Sequence, residues 1–233
     1  MLDPTPFLAA DYYATKDVTL PRLQKYSVDV ILRLGLDNPG GVFTPLIADL
    51  TRLHTALFGA ITAADAGISQ RRTAAQVMWG ALADLQHQLD EDKELLNYKS
   101  KKTPAIRQDF FPNGRQEYAQ ATLLTAELLL ERAAKAAAIH AKKLGEEFDA
   151  SLYAGFRDAF IAGRDGTGTG DEQTAKARAE AQTHRQALTL RLTDAVKLVA
   201  AQFPRDAARA TAYFRVGLLQ APAPAKAGKA GAV

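Results

Sequence analysis

The chain has 233 residues, 47 % hydrophobic and 24 % charged, and its 29 basic and 26 acidic side chains leave a net charge of only +3. That is ordinary globular composition, and so small an excess, even with a pI near 9.0, is no reason by itself to expect a nucleic-acid binder. There is no cysteine, which excludes a disulfide framework, a thiolate metal site and a cysteine nucleophile.

The opening MLDPTPFLAADYYATKD carries an acid at position 3, two prolines and no apolar run, so it does not read as a signal peptide. Nowhere do about 18 apolar residues run together as a membrane span would require. The expected compartment is the cytoplasm, and no membrane partner is expected.

In chain order, a short N-terminal helix is expected around 20–34. Thr44-Pro45 then supplies an N-cap and a first-turn proline. Leu46, Leu50, Leu53, Leu57 and Ile61 follow at spacings of mostly three and four, one face of a helix. Asp65-Ala66-Gly67 reads as its end, with Ser69 capping the next helix. Met78, Leu82, Leu85, Leu89 and Leu96 continue the rhythm there. Residues 44–97 are therefore expected to form an antiparallel helical hairpin.

A crossover at 98–113 leads to a second hairpin at 114–203. Asn113-Gly114-Arg115-Gln116 resembles a capping box. Leu144, Phe148, Leu152, Phe156 and Phe160 recur every four residues, with Gly145 and Gly155 as places where the helix bends or breaks. Leu188, Leu192, Ala195, Val199 and Phe203 repeat the rhythm up to Pro204, and a short helix is expected near 205–217. The stretches at 80–89 and 190–199 can be laid over each other, Leu82 on Leu192 and Asp84 on Asp194, as any two amphipathic helices can. No period-2 alternation supports a strand. The expected fold is an all-α elongated bundle of two antiparallel hairpins in one domain, 1–220. The closing APAPAKAGKAGAV, 221–233, has too little apolar surface to offset the entropy of ordering it and reads as a flexible tail.

Between the two arms of the second hairpin lies GRDGTGTGDEQTAK, residues 163–176. A P-loop needs G-x-x-x-x-G-K-[ST] after a strand; here Lys176 lies six residues past the last glycine and a helix precedes. Asp165, Thr167, Thr169 and Asp171 mimic the alternation of a calcium loop, but its twelfth position falls on Lys176 in place of the required acid. The expectation is a turn, with Gly163 closing one helix and Thr169-Gly170-Asp171-Glu172 capping the next.

His54, His87, His140 and His184 are scattered, and a di-metal bundle site needs two Glu-x-x-His pairs. They read as surface or rim residues, and no metal or other cofactor is expected. The remaining candidate is KSKKTPAIRQDFFPNGR, 99–115. Lys99, Lys101, Lys102, Arg107 and Arg115 stand there against Asp109, interleaved with Ile106, Phe110 and Phe111. Basic and aromatic residues together can hold a nucleic-acid strand by phosphate contact and stacking. The simpler reading drops Ile106 and the phenylalanines into the core and leaves the lysines wet.

Apolar residues outside a simple stripe, Val77, Trp79, Leu124 and Leu130, widen the apolar face and offer a second interface. With long helical seams and no cofactor motif, the expected role is a non-catalytic structural or interaction module that assembles with itself or another protein. The alternative is a nucleic-acid-binding module working through 99–115.

Overall fold

Helical periodicity without strand signals becomes an all-α protein. The computed structural model describes Tyr13 and residues 18–220, so the expected tail at 221–233 lies outside the described residues. The helices are α1 (Leu20–Leu36), α2 (Thr44–Glu91), α3 (Lys93–Lys102), α4 (Pro104–Phe110), α5 (Gln116–Ala119), α6 (Leu123–Leu144), α7 (Ala150–Gln202) and α8 (Ala207–Ala212), with 3-10 turns at Pro39–Gly41 and Val216–Leu219. No strand occurs among the described residues.

Neither expected hairpin turn exists. Residues 65–67 are interior to α2, a single helix of 48 residues, and residues 163–176 are interior to α7, a single helix of 53. Ser69 and Thr169 therefore cap nothing. Of the two glycines expected to break the second hairpin, Gly145 does so, ending α6 at φ 104, whereas Gly155 stays helical. The capping box is not at Asn113–Gln116 either: it is Thr122 with Thr125, each side chain meeting the other's backbone at the start of α6. The crossover is largely helix, since α3 and α4 fill most of it.

The described residues cluster into two compact units, one from residues up to Ala64 together with those from Lys176, the other Asp65–Ala175. In the first, Leu23, Tyr26, Val30 and Leu34 of α1 meet Leu46, Leu50, Leu53 and Leu57 of α2 and Leu188, Leu192, Ala195 and Val199 of α7. Spacings of three and four put each set on one helical face. Full burial of each leucine contributes roughly 1.5–3 kcal/mol. Tyr213, Phe214, Val216 and Leu219 close the same core from the C-terminal side.

The second unit has a core of Met78, Leu82, Leu85 and Leu89 of α2, Ile106 and Phe110 of α4, the alanine-rich face of α6, and Tyr153 and Phe160 of α7. Alanines at 126, 133, 134, 136 and 137 are all buried. Phe110 stands edge-on to Tyr153 at 5.9 Å, and Phe148 stacks on Tyr153 at 5.3 Å. The Tyr153 hydroxyl donates to Asp92 Oδ2 at 2.6 Å, and Tyr118 donates to the Phe110 carbonyl at 2.8 Å. Both phenols are held well above their ordinary pKa, chiefly by burial, and stay protonated donors.

The glycine-rich segment has its explanation in this unit. A Cβ on Gly163 would stand 2.8 Å from both Ala74 O and Met78 N, and one on Gly170 would stand 2.9 Å from Arg71 N. From the other side, a Cβ on Gly67 would meet Thr174 Oγ1 at 2.6 Å. At 3.6 residues per turn, positions 163, 166 and 170 share a face, and along it α7 lies against α2 at backbone contact. Thr174, on the same face, turns its hydroxyl back to the Gly170 carbonyl at 2.7 Å, and Arg71 pairs with Asp171 at 2.9 Å across the contact. The glycines serve helix packing, which is why the segment does not turn.

Candidate functional site

The seven residues of the basic-aromatic segment do not form one surface. Phe110 is fully buried in the core, whereas Phe111 is half-buried. Arg115 is committed: its Nη2 donates to Leu89 O at 2.6 Å and pairs with Asp90 Oδ1 at 2.8 Å, while its guanidinium lies 5.3 Å from the Phe111 ring. Arg115 and Phe111 help line a cleft of about 340 Å³ with Gln86, Asp90 and Tyr118. Its cation is paired and Gln86 Nε2 donates to Tyr118 O at 2.6 Å, so the cleft's main polar groups hold the fold.

Lys101, Lys102 and Arg107 are exposed. Lys99 has a structural reason for its charge: its ammonium lies 3.7 Å from where a Gly145 Cβ would be. That is the C-terminus of α6, whose last turn also carries Lys142 and Lys143. Cations stabilise the negative end of a helix dipole by about 0.3–1 kcal/mol each at the surface. Lys102 Nζ sits 5.6 Å from the centroid of Tyr98, a ring that is 57 % exposed.

The histidines divide differently from expectation. His140 is a core residue, not a rim one: it is buried in α6, with Nε2 2.7 Å from Asp109 Oδ2 of α4. Alanines at 136 and 137 flank it on the inner face, so the pattern that buries them buries it too. His54 Nδ1 lies 2.8 Å from Ser27 Oγ, and burial lowers its pKa. His87 is exposed beside Glu91, and His184 is half-buried.

A further exposed apolar surface lies on α1. Its inner face is the core stripe. Its opposite face is apolar as well: Val28, Leu32 and Leu36 are 49, 57 and 78 % exposed, and exposed Pro21 and Gly35 share that side. Gln24 and Lys25 are the exposed polar residues on that side, and half-buried Arg22 and buried Asp29 stand at its edge. By contrast Leu124 and Leu128, exposed on α6, are interrupted by Glu127, which pairs with Arg164, and Glu131, which pairs with Lys135. Of the residues expected to widen the apolar face, Leu130 is buried, while Val77 and Trp79 are each 46 % exposed and Leu124 is 95 % exposed. The signal in α1 was readable: Val28, Leu32 and Leu36 recur every four residues in a helix whose core stripe lies elsewhere.

A C-terminal clasp borders this face. Asp29, buried on α1, takes Arg33 Nε at 2.9 Å and Arg215 Nη2 at 2.7 Å. Arg33 Nη1 donates to Ala212 O at 2.6 Å, and Arg209 grips Asp37 with two nitrogens. Tyr213 donates to the Asp37 carbonyl at 2.9 Å. The hydrogen bond from Arg209 holds the Asp37 carboxyl below its ordinary pKa, with Tyr213 adding to the effect. Burial, then Asp37, pushes the Tyr213 phenol up to about 12. Leu32, Leu36, Arg209 and Tyr213 line a cleft of about 260 Å³ beside the clasp.

Among the described residues no helix is long and apolar enough to cross a membrane. No family model matches the chain, and neither a curated protein nor a solved structure matches it.

Proposed function

We propose that this protein is a non-catalytic interaction module that assembles through the outward face of α1. One observation carries the reading: α1 is apolar on two opposite sides, and only one of them is buried in its own unit. Leaving Leu32 and Leu36 in water forgoes about 25 cal/mol for each Å² of apolar surface a partner would cover. Clusters of large exposed apolar residues mark association sites more often than scattered ones do. The charged groups of the two clefts are tied up in ion pairs, which also favours binding over chemistry.

The test is light scattering on the native chain and on a Leu32→Glu, Leu36→Glu variant. The native protein should run larger than a monomer, alone or with an identified protein partner. The variant should lose that association while keeping its helical circular dichroism. Equal behaviour of the two proteins would remove the reading.

A second reading, nucleic-acid binding, is favoured by the exposed Tyr98 ring with the Lys102 ammonium above it, next to Lys101. Stacking on an aromatic ring with phosphate contacts to nearby lysines is how single strands are held without sequence preference. Contacts to three to five phosphates would give a log–log salt slope of roughly −2 to −4. A gel-shift titration at two salt concentrations with Lys99, Lys101 and Lys102 changed to Glu decides it: an unchanged shift, or none in the native protein, ends this alternative.

A further inference from the structure

The cleft beside the C-terminal clasp combines cations with an apolar wall, and we propose that it binds a small aliphatic carboxylate, its head on Arg33 and Arg215 and its chain along Leu32 and Leu36. This goes beyond the interaction-module reading, since it gives the cleft a ligand of its own, whatever the chain assembles with.

Donors come first. A guanidinium carries N–H groups on three nitrogens and accepts nothing. Arg33 uses Nε on Asp29 and Nη1 on the Ala212 carbonyl, and Arg215 uses Nη2 on Asp29. Arg33 Nη2 and Arg215 Nε and Nη1 make no hydrogen bond among the described residues, and the two side chains reach solvent, 29 and 57 % exposed. Buried Asp29 takes one cation on each oxygen, so it holds the two guanidiniums next to each other. The fold has already met the entropy of ordering two long side chains, a cost that a ligand would otherwise meet on binding.

Charge selects the head group. Arg33, Arg209, Arg215 and Asp37 line the cleft, and Asp29 stands behind them. Three cations against these two carboxylates leave one positive charge. That suits a singly charged carboxylate, which a guanidinium can meet with two parallel N–H bonds, better than a phosphate dianion. Asp37 is no competitor for Arg33 or Arg215, because Arg209 holds it with Nε and Nη2.

The wall selects the tail. Exposed Leu32 and Leu36 lie one turn apart, about 6 Å along α1, and Ala212 and Tyr213 complete the lining. The open volume of about 260 Å³ lies below the ~300–1,000 Å³ of sites for drug-sized ligands. It has room for roughly eight waters, a non-hydrogen atom count close to that of a medium-chain carboxylate.

Octanoate is the probe, titrated into the full chain and followed by amide NMR shifts. Saturable shifts should appear at 32–37 and 209–216 with a Kd on the order of 1 mM, ordinary for so small a ligand. Acetate has the head without the chain, and octyltrimethylammonium the chain with the opposite charge; each should bind about tenfold more weakly or worse. Arg215→Gln leaves Asp29 its bond from Arg33 and should weaken octanoate about tenfold. If that variant loses amide protection in 207–219, Arg215→Lys, which keeps the charge without the fork, is read in its place and should weaken octanoate by less. Leu36→Ser should weaken octanoate and leave acetate unchanged, a split that a structural role for the leucine would not produce. Lys25→Gln removes a cation of the same helix outside the cleft and should bind as the native chain does.

No saturable shift by about 10 mM octanoate, ten times the expected Kd, overturns the proposal. So does octyltrimethylammonium binding as tightly as octanoate, or octanoate binding that neither Arg215 substitution nor Leu36→Ser weakens. None of these outcomes bears on assembly, which light scattering on the Leu32→Glu, Leu36→Glu variant reads separately.

Discussion

Gly163 and Met78 lie so close that a single methyl group on the glycine would come within 2.8 Å of the Met78 backbone nitrogen. Gly168, five residues on in the same helix, has nothing within 4 Å of the same position. Two glycines with equal intrinsic helix propensity therefore respond to alanine with opposite sign. Gly163→Ala forces α7 away from α2 and should destabilise by about 1–3 kcal/mol, the usual cost of overpacking. Gly168→Ala keeps a helical φ and should stabilise by about 0.5–1 kcal/mol, or roughly 2–4 °C per kcal/mol in a chain of this size. Thermal or urea unfolding of the two variants checks both signs.

The clasp should open in acid. Asp37 has a folded-state pKa below its ordinary value of 3.8, so its contribution is complete above about pH 4 and lost as the pH falls further, through the folded value. Amide hydrogen exchange in 207–219 should quicken over that range while the α2 core stays protected. Asp37→Asn should show quick exchange at every pH.

The same clasp should loosen at the other end of the scale. Tyr213 is raised to about 12, so the stabilisation it represents is complete below pH 10 and lost as the pH rises from 10 toward 12. Phenolate absorbance should show a late step in this window that Tyr213→Phe removes.

Phe110 and Phe111 are adjacent in sequence but should not behave alike. Phe110→Ala empties a fully buried site among Phe148 and Tyr153 and should cost about 3–5 kcal/mol. Phe111, half-buried against Tyr118 and Arg115, should cost less when truncated. Denaturant unfolding of the two variants measures the difference.

The leucine stripes were legible because burial imposes a period: Leu46, Leu50, Leu53 and Leu57 name their own face. The lengths of α2 and α7 were not, because Gly67, Gly163 and Gly170 carry the local signature of turns, and only the partner helix makes a missing side chain useful. The 163, 166, 170 spacing is itself helical, and that was the available clue. His140 reads as a rim residue when judged by its type alone, whereas its neighbours Ala136 and Ala137 on the buried face of α6 place it in the core. The outward face of α1 is harder to read because Val28, Leu32 and Leu36 alternate with the core stripe of Leu23, Tyr26, Val30 and Leu34, and a helix taken over 20–34 stops short of Leu36.

The seam between α2 and α7 also governs where the chain can be edited. GTGTG is the kind of stretch chosen for inserting an epitope tag, a protease site or a fluorescent reporter, and here it is an unsuitable one. One added residue between 163 and 170 would turn everything after it by about 100° and shift it by about 1.5 Å along the helix. Gly170 and Thr174 would swing away from Gly67, and side chains would enter the space the glycines leave. The turn at Pro39–Gly41, where Gly40 and Gly41 both have positive φ and no residue is buried, is the better splice point.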